Sequence, residues 1–308
     1  MVKAGAAAAR GKARWKVRVP RTRFNDTVSP RRVFDARSFS LDEIRAIKSH
    51  VDGATVNDVV VSICGGALRQ YLESKDELPE QSLVAMAPVS SRSDAQRGAG
   101  GNRVSTLSLP IRTDIADPLE RLRAVQKEST LAKEMSGSLG GDIVADAAHF
   151  LPSMSTGMLA NAYGRWGLAR RLPPIFNTVI TNVPGPNFAL YSMGSRMVAN
   201  YGLGPIAHGV GLFQPVISYN GNVAISAVSC REMMPDPAFY CDCLESAFDD
   251  LKATVRATPA AGKDVKSKPV SRARARAAAR KRAAALTKDD TDGIVTRKTT
   301  KKKKTKGS

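Results

Sequence analysis

The spacing of apolar residues in this chain changes repeatedly between the two-residue period of a strand and the three-to-four-residue period of a helix. Apolar or β-branched segments bounded by turn residues predict strands at residues 32–39, 83–87, 103–111, 176–183, 196–201, 212–219 and 223–228. We expect the second strand to stop at Pro88, because proline has no backbone N–H to donate.

Segments with helical spacing follow residues that suit a helix N-terminus: Ser40, Thr55, Asp117 and Asp236. The helix after Thr55 has the longest apolar stripe, from Val56 to Tyr71, and its first turn contains Asn57 and Asp58. Asp58 follows Thr55 by three residues, so it either completes a capping box or belongs to a functional site. A looser helical pattern covers residues 137–171.

Asn220-Gly221, between two predicted strands, is the strongest short-range signal for a hairpin with a type I′ turn. Strands alternate with helices early in the chain and pair as a hairpin late. This order predicts an α/β fold, in which a two-layer mixed sheet has helices on one face.

The segment at residues 176–191 begins as a strand and ends abruptly at Pro184-Gly185-Pro186. The two prolines fix their φ angles, and glycine adopts angles that other residues adopt only at a cost, so we expect a rigid loop. Rigid loops at strand ends often carry function, but Pro-Gly sequences are also common structural turns. The residues alone leave both interpretations open.

The formal net charge of +19 is distributed unevenly along the chain. Residues 1–24 carry +8 and residues 259–308 carry +13, which leaves −2 for residues 25–258. We therefore predict a folded domain at 25–258, a basic arm or linker at 1–24 and a disordered Lys/Arg/Ala-rich tail at 259–308. The tail is either a solvated solubility tail or a segment that docks on an anionic membrane or on nucleic acid. Nucleic acid is disfavoured because Trp15 and Phe24 are the only aromatic residues in the arm and tail.

The four cysteines have neither the spacing of a disulfide framework nor that of a zinc site, which favours a cytoplasmic location. No apolar segment approaches the 18 or so residues of a membrane span. The Arg-rich, Ala-rich start also fits a mitochondrial presequence.

The sequence lacks the nucleophile elbow, phosphate-binding loop and zinc-protease motifs of common enzyme classes. Its three histidines, His50, His149 and His208, are each more typical of a structural than of a catalytic role. We therefore assign no catalytic residue and no metal site from these patterns.

Residues 20–255 nevertheless resemble the C-terminal half of the bacterial wax ester synthase/diacylglycerol acyltransferase family. The resemblance is carried by ordered stretches: PRTRFNDTVSPRR at 20–32, ATVNDVVVSICGGALRQYL at 54–72, LPEQSLVAMAPVSSR at 78–92, GNRVSTLSLP at 101–110, DPLERLRAVQ at 117–126, FNTVITNVPGP at 176–186 and SYNGNVAISAVSC at 218–230.

This resemblance implies a domain of the coenzyme-A-dependent acyltransferase type, similar to chloramphenicol acetyltransferase, that forms one side of a substrate tunnel. It implies acyl-CoA as co-substrate, with no bound cofactor, and diacylglycerol or a fatty alcohol as acceptor. The family's Asn-Asp motif corresponds to Asn57 and Asp58. Its Asn-Val-Pro-Gly-Pro motif corresponds to a segment that includes Asn182, Pro184, Gly185 and Pro186, which we interpret as tunnel-wall candidates. His208 stands where family members commonly have an acidic residue.

The family's catalytic signature, His-His-x-x-x-Asp-Gly, is absent from this sequence. The second histidine of that signature acts as the general base on the acceptor alcohol. We therefore expect an acyltransferase C-terminal half, from a split, truncated or misread gene, that needs an N-terminal half as partner and works peripherally at a membrane or lipid droplet. The alternative is a non-catalytic protein that docks on anionic membrane surfaces or nucleic acid through its basic tails.

Overall fold

The computed structural model of the protein describes residues 19–90, 104–138 and 167–257. The strands are β1 (Arg32–Ser40), β2 (Val84–Ser90), β3 (Val104–Pro110), β4 (Thr178–Pro184), β5 (Tyr191–Ser192), β6 (Ser195–Arg196), β7 (Phe213–Tyr219) and β8 (Asn222–Cys230). The helices are α1 (Leu41–Lys48), α2 (Val56–Glu73), α3 (Pro118–Ser138), α4 (Leu168–Arg171) and α5 (Pro237–Ala257).

Six strands form one mixed sheet in the order β1-β8-β7-β4-β2-β3, and β5 and β6 pair separately. Strand β4 runs parallel to both of its neighbours, β2 and β7. The remaining neighbours in the large sheet are antiparallel. The predicted mixed sheet is therefore confirmed. Because β4 and β7 are parallel, their carboxyl ends lie at the same edge of the sheet.

The helices pack on one face of this sheet, as the sequence predicts. Alternate residues of β8, Val223, Ile225 and Ala227, belong to the same buried cluster as residues of α2 and α5. Ile63 in α2 and Leu244 in α5 are almost fully buried in this cluster. Each buried aliphatic side chain contributes ~1.5–3 kcal/mol relative to an exposed one, so this layer supplies much of the stability.

The Asn220-Gly221 hairpin is confirmed. Asn220 has φ 46° and Gly221 has φ 83°, and a type I′ turn requires positive φ at both central residues. This turn connects β7 to β8, which supplies eight consecutive buried residues to the centre of the fold.

The expectation that the second strand stops at Pro88 is wrong. Strand β2 continues to Ser90, and Pro88 pairs with Thr106 of β3. On its other side, β2 pairs with β4 only at Ala85 and Met86. At Pro88, no residue of β4 requires a backbone N–H donor from β2. A strand tolerates proline at such a position, where one side of the backbone has no partner strand.

The strand expected at residues 196–201 is also wrong. The chain instead forms the β5–β6 hairpin, in which Met193 and Gly194 turn the chain with φ 50° and 80°. The residues that follow lie across β7, where a side chain at Gly202 would collide with Pro215. Most of the looser helical pattern at 137–171, and both predicted tails beyond residues 19–257, lie outside the described residues.

Candidate functional site

Two amide side chains that are far apart in the sequence meet at the carboxyl end of β4. Asn182 Nδ2 donates a hydrogen bond to Asn57 Oδ1 at 3.3 Å. Asn57 lies in the first turn of α2, whose N-terminus is directed toward this edge of the sheet. The carboxyl ends of parallel strands are the usual ligand-binding edge of open α/β sheets. The structure thus brings two of the predicted site residues together.

The carboxyl half of β4 is exposed although β4 is a central strand. Thr178, Val179 and Ile180 are buried, whereas Asn182, Val183 and Pro184 are exposed. Successive residues of a strand point to opposite faces, so both faces of the sheet are open at this end. Val183 has 54% of its surface exposed, which is unusual for an apolar residue in a central strand.

Asp58 is buried, with 1% of its surface exposed, and completes the capping box of α2. Its Oδ2 accepts hydrogen bonds from the Thr55 backbone N–H and hydroxyl, both at 2.8 Å. The Thr55 hydroxyl in turn accepts from the Asp58 N–H at 3.3 Å. Asp58 Oδ1 has no hydrogen-bond partner among the described residues. The capping role predicted for Asp58 is confirmed, and a further role in the site stays a prediction.

The Pro184-Gly185-Pro186 loop is fixed to the end of β7. The Gly185 N–H donates to Ser218 Oγ at 3.1 Å, and the Asn220 N–H donates to the Pro186 carbonyl at 3.0 Å. A Cβ at Gly185 would lie 2.1 Å from the Ser218 carbonyl oxygen. Gly185 is not among the glycines with positive φ, so the expected reason for glycine, an unusual backbone angle, is wrong. Glycine is needed here because two backbones approach closely.

An exposed apolar surface follows this loop, and sequence reasoning did not identify it. We define the hairpin surface as the exposed apolar residues Phe188, Leu190, Tyr191, Met193, Val198, Tyr201 and Leu203. Tyr219 of β7 anchors the segment, because its hydroxyl accepts from the Leu190 N–H at 2.8 Å and donates to the Met197 carbonyl at 3.0 Å. The available signal was the density of large apolar residues, because residues 188–203 contain eight of them, including Met197, around a Met-Gly turn.

The described histidines make structural contacts. His50 Nδ1 lies 3.0 Å from the Ala46 carbonyl oxygen at the end of α1. His208 Nδ1 accepts a hydrogen bond from the Val28 N–H at 3.1 Å. His149 lies outside the described residues. Neither of these two histidines forms a hydrogen bond with Asn57 or Asn182.

Residues 19–90, 104–138 and 167–257 contain no group of three or more His, Cys, Asp or Glu side chains able to hold a metal ion. In the same ranges, no helix is long and apolar enough to cross a bilayer. The four cysteines are all buried as free thiols.

Comparison with protein-family models gives two matches of one family. The model described as the WS/DGAT C-terminal domain matches residues 100–252. The model described as the wax ester synthase/diacylglycerol acyltransferase catalytic domain matches residues 2–60, which include the predicted basic arm. The predicted domain boundaries themselves stay a prediction.

Curated relatives share sequence over most of this chain. A Mycobacterium tuberculosis protein named "Probable diacyglycerol O-acyltransferase tgs2" is 34% identical over 238 residues, which cover 77% of this chain and 51% of the relative. Another relative from the same species, also named as a diacylglycerol O-acyltransferase, is 35% identical over 237 residues and is covered to 47% of its length. The chain therefore spans about half the length of these relatives.

Solved structures agree with the sequence comparison. The wax ester synthase/diacylglycerol acyltransferase from Marinobacter aquaeolei VT8 superposes with a TM-score of 0.60 at 30% identity, covering 83% of this chain and 56% of that one. The nonribosomal peptide synthetase FmoA3, at 15% identity and a TM-score of 0.52, shares the fold.

Proposed function

Because the chain belongs to the wax ester synthase/diacylglycerol acyltransferase family, we propose that it forms the C-terminal part of an acyl-CoA-dependent O-acyltransferase. The proposed reaction transfers an acyl group from acyl-CoA to the hydroxyl of diacylglycerol or of a fatty alcohol. The alcohol oxygen attacks the thioester carbonyl while a general base takes its proton, and the C–S bond then breaks as the CoA sulfur leaves and receives that proton. The products are a triacylglycerol or a wax ester, together with free CoA.

The contact between Asn57 and Asn182 carries this proposal. These residues come from the two motifs that the family resemblance singles out, and they lie 125 positions apart with their amides in hydrogen-bonding distance. Asn182 is exposed at the end of β4 and Asn57 is half-buried in the first turn of α2, so neither amide lies in the core. Amide N–H groups are suitable donors to an ester or thioester oxygen on which negative charge develops.

We propose that the general base comes from a separate N-terminal lobe of the family fold, linked in the same polypeptide or bound in trans. The known relatives are about twice as long as the matched region, and the catalytic-domain model matches only residues 2–60 here. The hairpin surface and the open end of β4 supply an apolar area suited to such a lobe. Exposed apolar patches of this kind typically mark interaction sites.

We further propose a cytoplasmic protein that works at the surface of a membrane or lipid droplet, because the proposed acceptors are water-insoluble lipids. The basic tails offer the alternative of docking without catalysis, but residues 1–18 and 258–308 lie outside the described ranges. The family membership favours acyl transfer over that alternative.

The test is acyl transfer from radiolabelled palmitoyl-CoA to dipalmitoylglycerol or hexadecanol. The purified chain is assayed alone, with a co-expressed N-terminal lobe of the Marinobacter relative, and with that lobe after both signature histidines are changed to alanine. We expect lipid product only with the intact lobe. Robust turnover by the chain alone contradicts the proposed need for a second lobe. A stable complex that makes no product contradicts the proposed reaction.

A further inference from the structure

A pocket of about 400 Å³ lies at the end of the sheet opposite to Asn57 and Asn182. Its apolar lining residues are Val28, Pro30, Ile206 and Ala207. Its polar lining residues are Arg32, His208 and Ser29, and the Ser29 hydroxyl is already engaged as a donor to Glu232. Arg32 begins β1 and pairs with Cys230 at the end of β8, whereas Asn182 lies near the carboxyl end of β4. The pocket is therefore separate from the proposed acyl-transfer site.

His208 lines this pocket, and its Nδ1 is already engaged as a hydrogen-bond acceptor. Its Nδ1 accepts from the Val28 N–H at 3.1 Å, so the neutral ring carries its proton on Nε2. The ring forms no other hydrogen bond with the described residues. The same contact holds the loop before β7 against the segment that leads into β1, and these two segments form the walls of the pocket.

Arg32 provides a positive charge that no described carboxylate neutralises. Its neighbour Arg31 forms an ion pair with Glu232 at 2.6 Å, and Asp26 is paired with Arg170 at 2.6 Å. Arg32 instead donates one N–H to the Ser29 carbonyl. The remaining guanidinium N–H groups are therefore available to a ligand, in the planar arrangement that suits a carboxylate.

From this arrangement we infer that the pocket binds an aliphatic carboxylate, such as the anion of a free fatty acid. Four apolar side chains offer contacts to a hydrocarbon chain, and the Arg32 guanidinium and His208 Nε2–H are donors for one carboxylate. The volume falls in the range of small-molecule sites, which are mainly apolar with a few polar groups that orient the ligand. An inorganic anion has no hydrocarbon chain to contact the apolar side chains. A neutral alcohol has no negative charge to pair with the Arg32 guanidinium.

Binding of sodium octanoate to the full chain is measured by NMR chemical-shift titration, beside octanol, acetate and inorganic phosphate. We expect saturable shifts with octanoate, and at least about tenfold weaker binding of the other three, because each lacks either the head group or the tail. Arg32→Gln is expected to weaken octanoate about tenfold, and His208→Phe to weaken it severalfold.

Arg31→Gln is the matched control, because it removes an adjacent arginine that is paired with Glu232. We expect it to retain octanoate affinity within twofold. Equal losses in the Arg31 and Arg32 variants would mean nonspecific charge attraction and would overturn the inference. Equal affinity for octanol would overturn the carboxylate site, and tighter binding of phosphate would overturn the role of the apolar walls. A folded spectrum of each variant confirms that a loss is local.

Discussion

Gly185 and Ser218 approach so closely that a single methyl group on Gly185 would lie 2.1 Å from the Ser218 carbonyl oxygen. The Gly185 N–H also donates to Ser218 Oγ at 3.1 Å. The loop after β4 is thereby fixed to β7 by backbone contact, and it begins three residues after Asn182. The position of the candidate site depends on this contact.

Gly185→Ala is expected to destabilise the protein by ~1–3 kcal/mol, because the new Cβ meets backbone that cannot move as a side chain does. Ser218→Ala keeps the close approach but removes the Oγ acceptor, so we expect a smaller loss of ~1 kcal/mol. Urea unfolding monitored by circular dichroism measures both. A Gly185→Ala variant within ~0.5 kcal/mol of the parent would show that the loop is not confined by Ser218.

Asn57→Ala and Asn182→Ala are expected to change stability by less than ~0.5 kcal/mol, because their hydrogen bond is exposed. Acyl transfer in the presence of the N-terminal lobe should fall by on the order of tenfold to a hundredfold, since misplaced groups at a reacting centre cost that much. Asn187→Ala is the matched control, because Asn187 is an exposed asparagine five residues from Asn182. If the Asn187 variant loses as much transfer as the other two, the Asn57–Asn182 contact is not the reason.

Substitutions in the hairpin surface are expected to weaken association with the N-terminal lobe but not folding. Met193 is fully exposed and has φ 50°, so Met193→Asn introduces a residue that accepts this backbone conformation. Combined with Leu203→Ser it should reduce lobe affinity about tenfold or more, measured by calorimetry, since a fully buried aliphatic side chain contributes ~1.5–3 kcal/mol. Leu131→Ser is the control, because Leu131 is an exposed leucine on α3. Unchanged affinity in the double variant would exclude this surface as the docking site.

Tyr71→Phe is expected to reduce stability at neutral pH by ~1 kcal/mol, because the Tyr71 hydroxyl donates to Asp236 Oδ1 at 2.6 Å. Burial raises the pKa of Asp236, but hydrogen bonds from Lys75 and Tyr71 outweigh it, and the pKa lies below the usual 3.8. A carboxyl group with a lowered pKa in the folded state stabilises the protein above its unfolded pKa and loses that contribution as the pH falls through the folded value.

The difference in the free energy of unfolding between the parent and Tyr71→Phe should therefore be constant above about pH 5 and shrink below 3.8. Denaturant unfolding at several pH values measures this difference. Tyr201→Phe serves as the control, since Tyr201 is an exposed tyrosine. A difference that stays the same from pH 7 to pH 2.5 would contradict the assignment of Asp236 as the titrating partner.

Much of the fold follows from local sequence patterns, because those patterns report burial. The apolar stripe after Thr55 predicts α2, and Asn220-Gly221 predicts the β7–β8 hairpin, since each depends on residues close in the chain. The prediction at Pro88 was wrong because a strand tolerates proline wherever no adjacent strand needs its N–H. That depends on the register between β2 and β4, which the residues around Pro88 do not determine.

The candidate site was only partly accessible from sequence. Asn57 and Asn182 were identified through the family resemblance, but their contact depends on β4 lying beside β7 and under the start of α2. The capping role of Asp58 was predictable, since Thr55 and Asp58 are three residues apart. The hairpin surface was missed because exposure of apolar residues cannot be deduced from their spacing, and Met193-Gly194 is not among the turn sequences that strongly predict a hairpin.

Edge strand β1 pairs with β8, and Arg32 lies opposite Cys230 in this pairing. This edge of the sheet is therefore built from segments near opposite ends of the described chain. During synthesis, β1 leaves the ribosome long before its sheet neighbour β8 exists. Contacts with such large sequence separation slow folding. We therefore expect nascent chains to hold β1 as an unpaired strand until β8 emerges, a period in which a chaperone would protect it from aggregation.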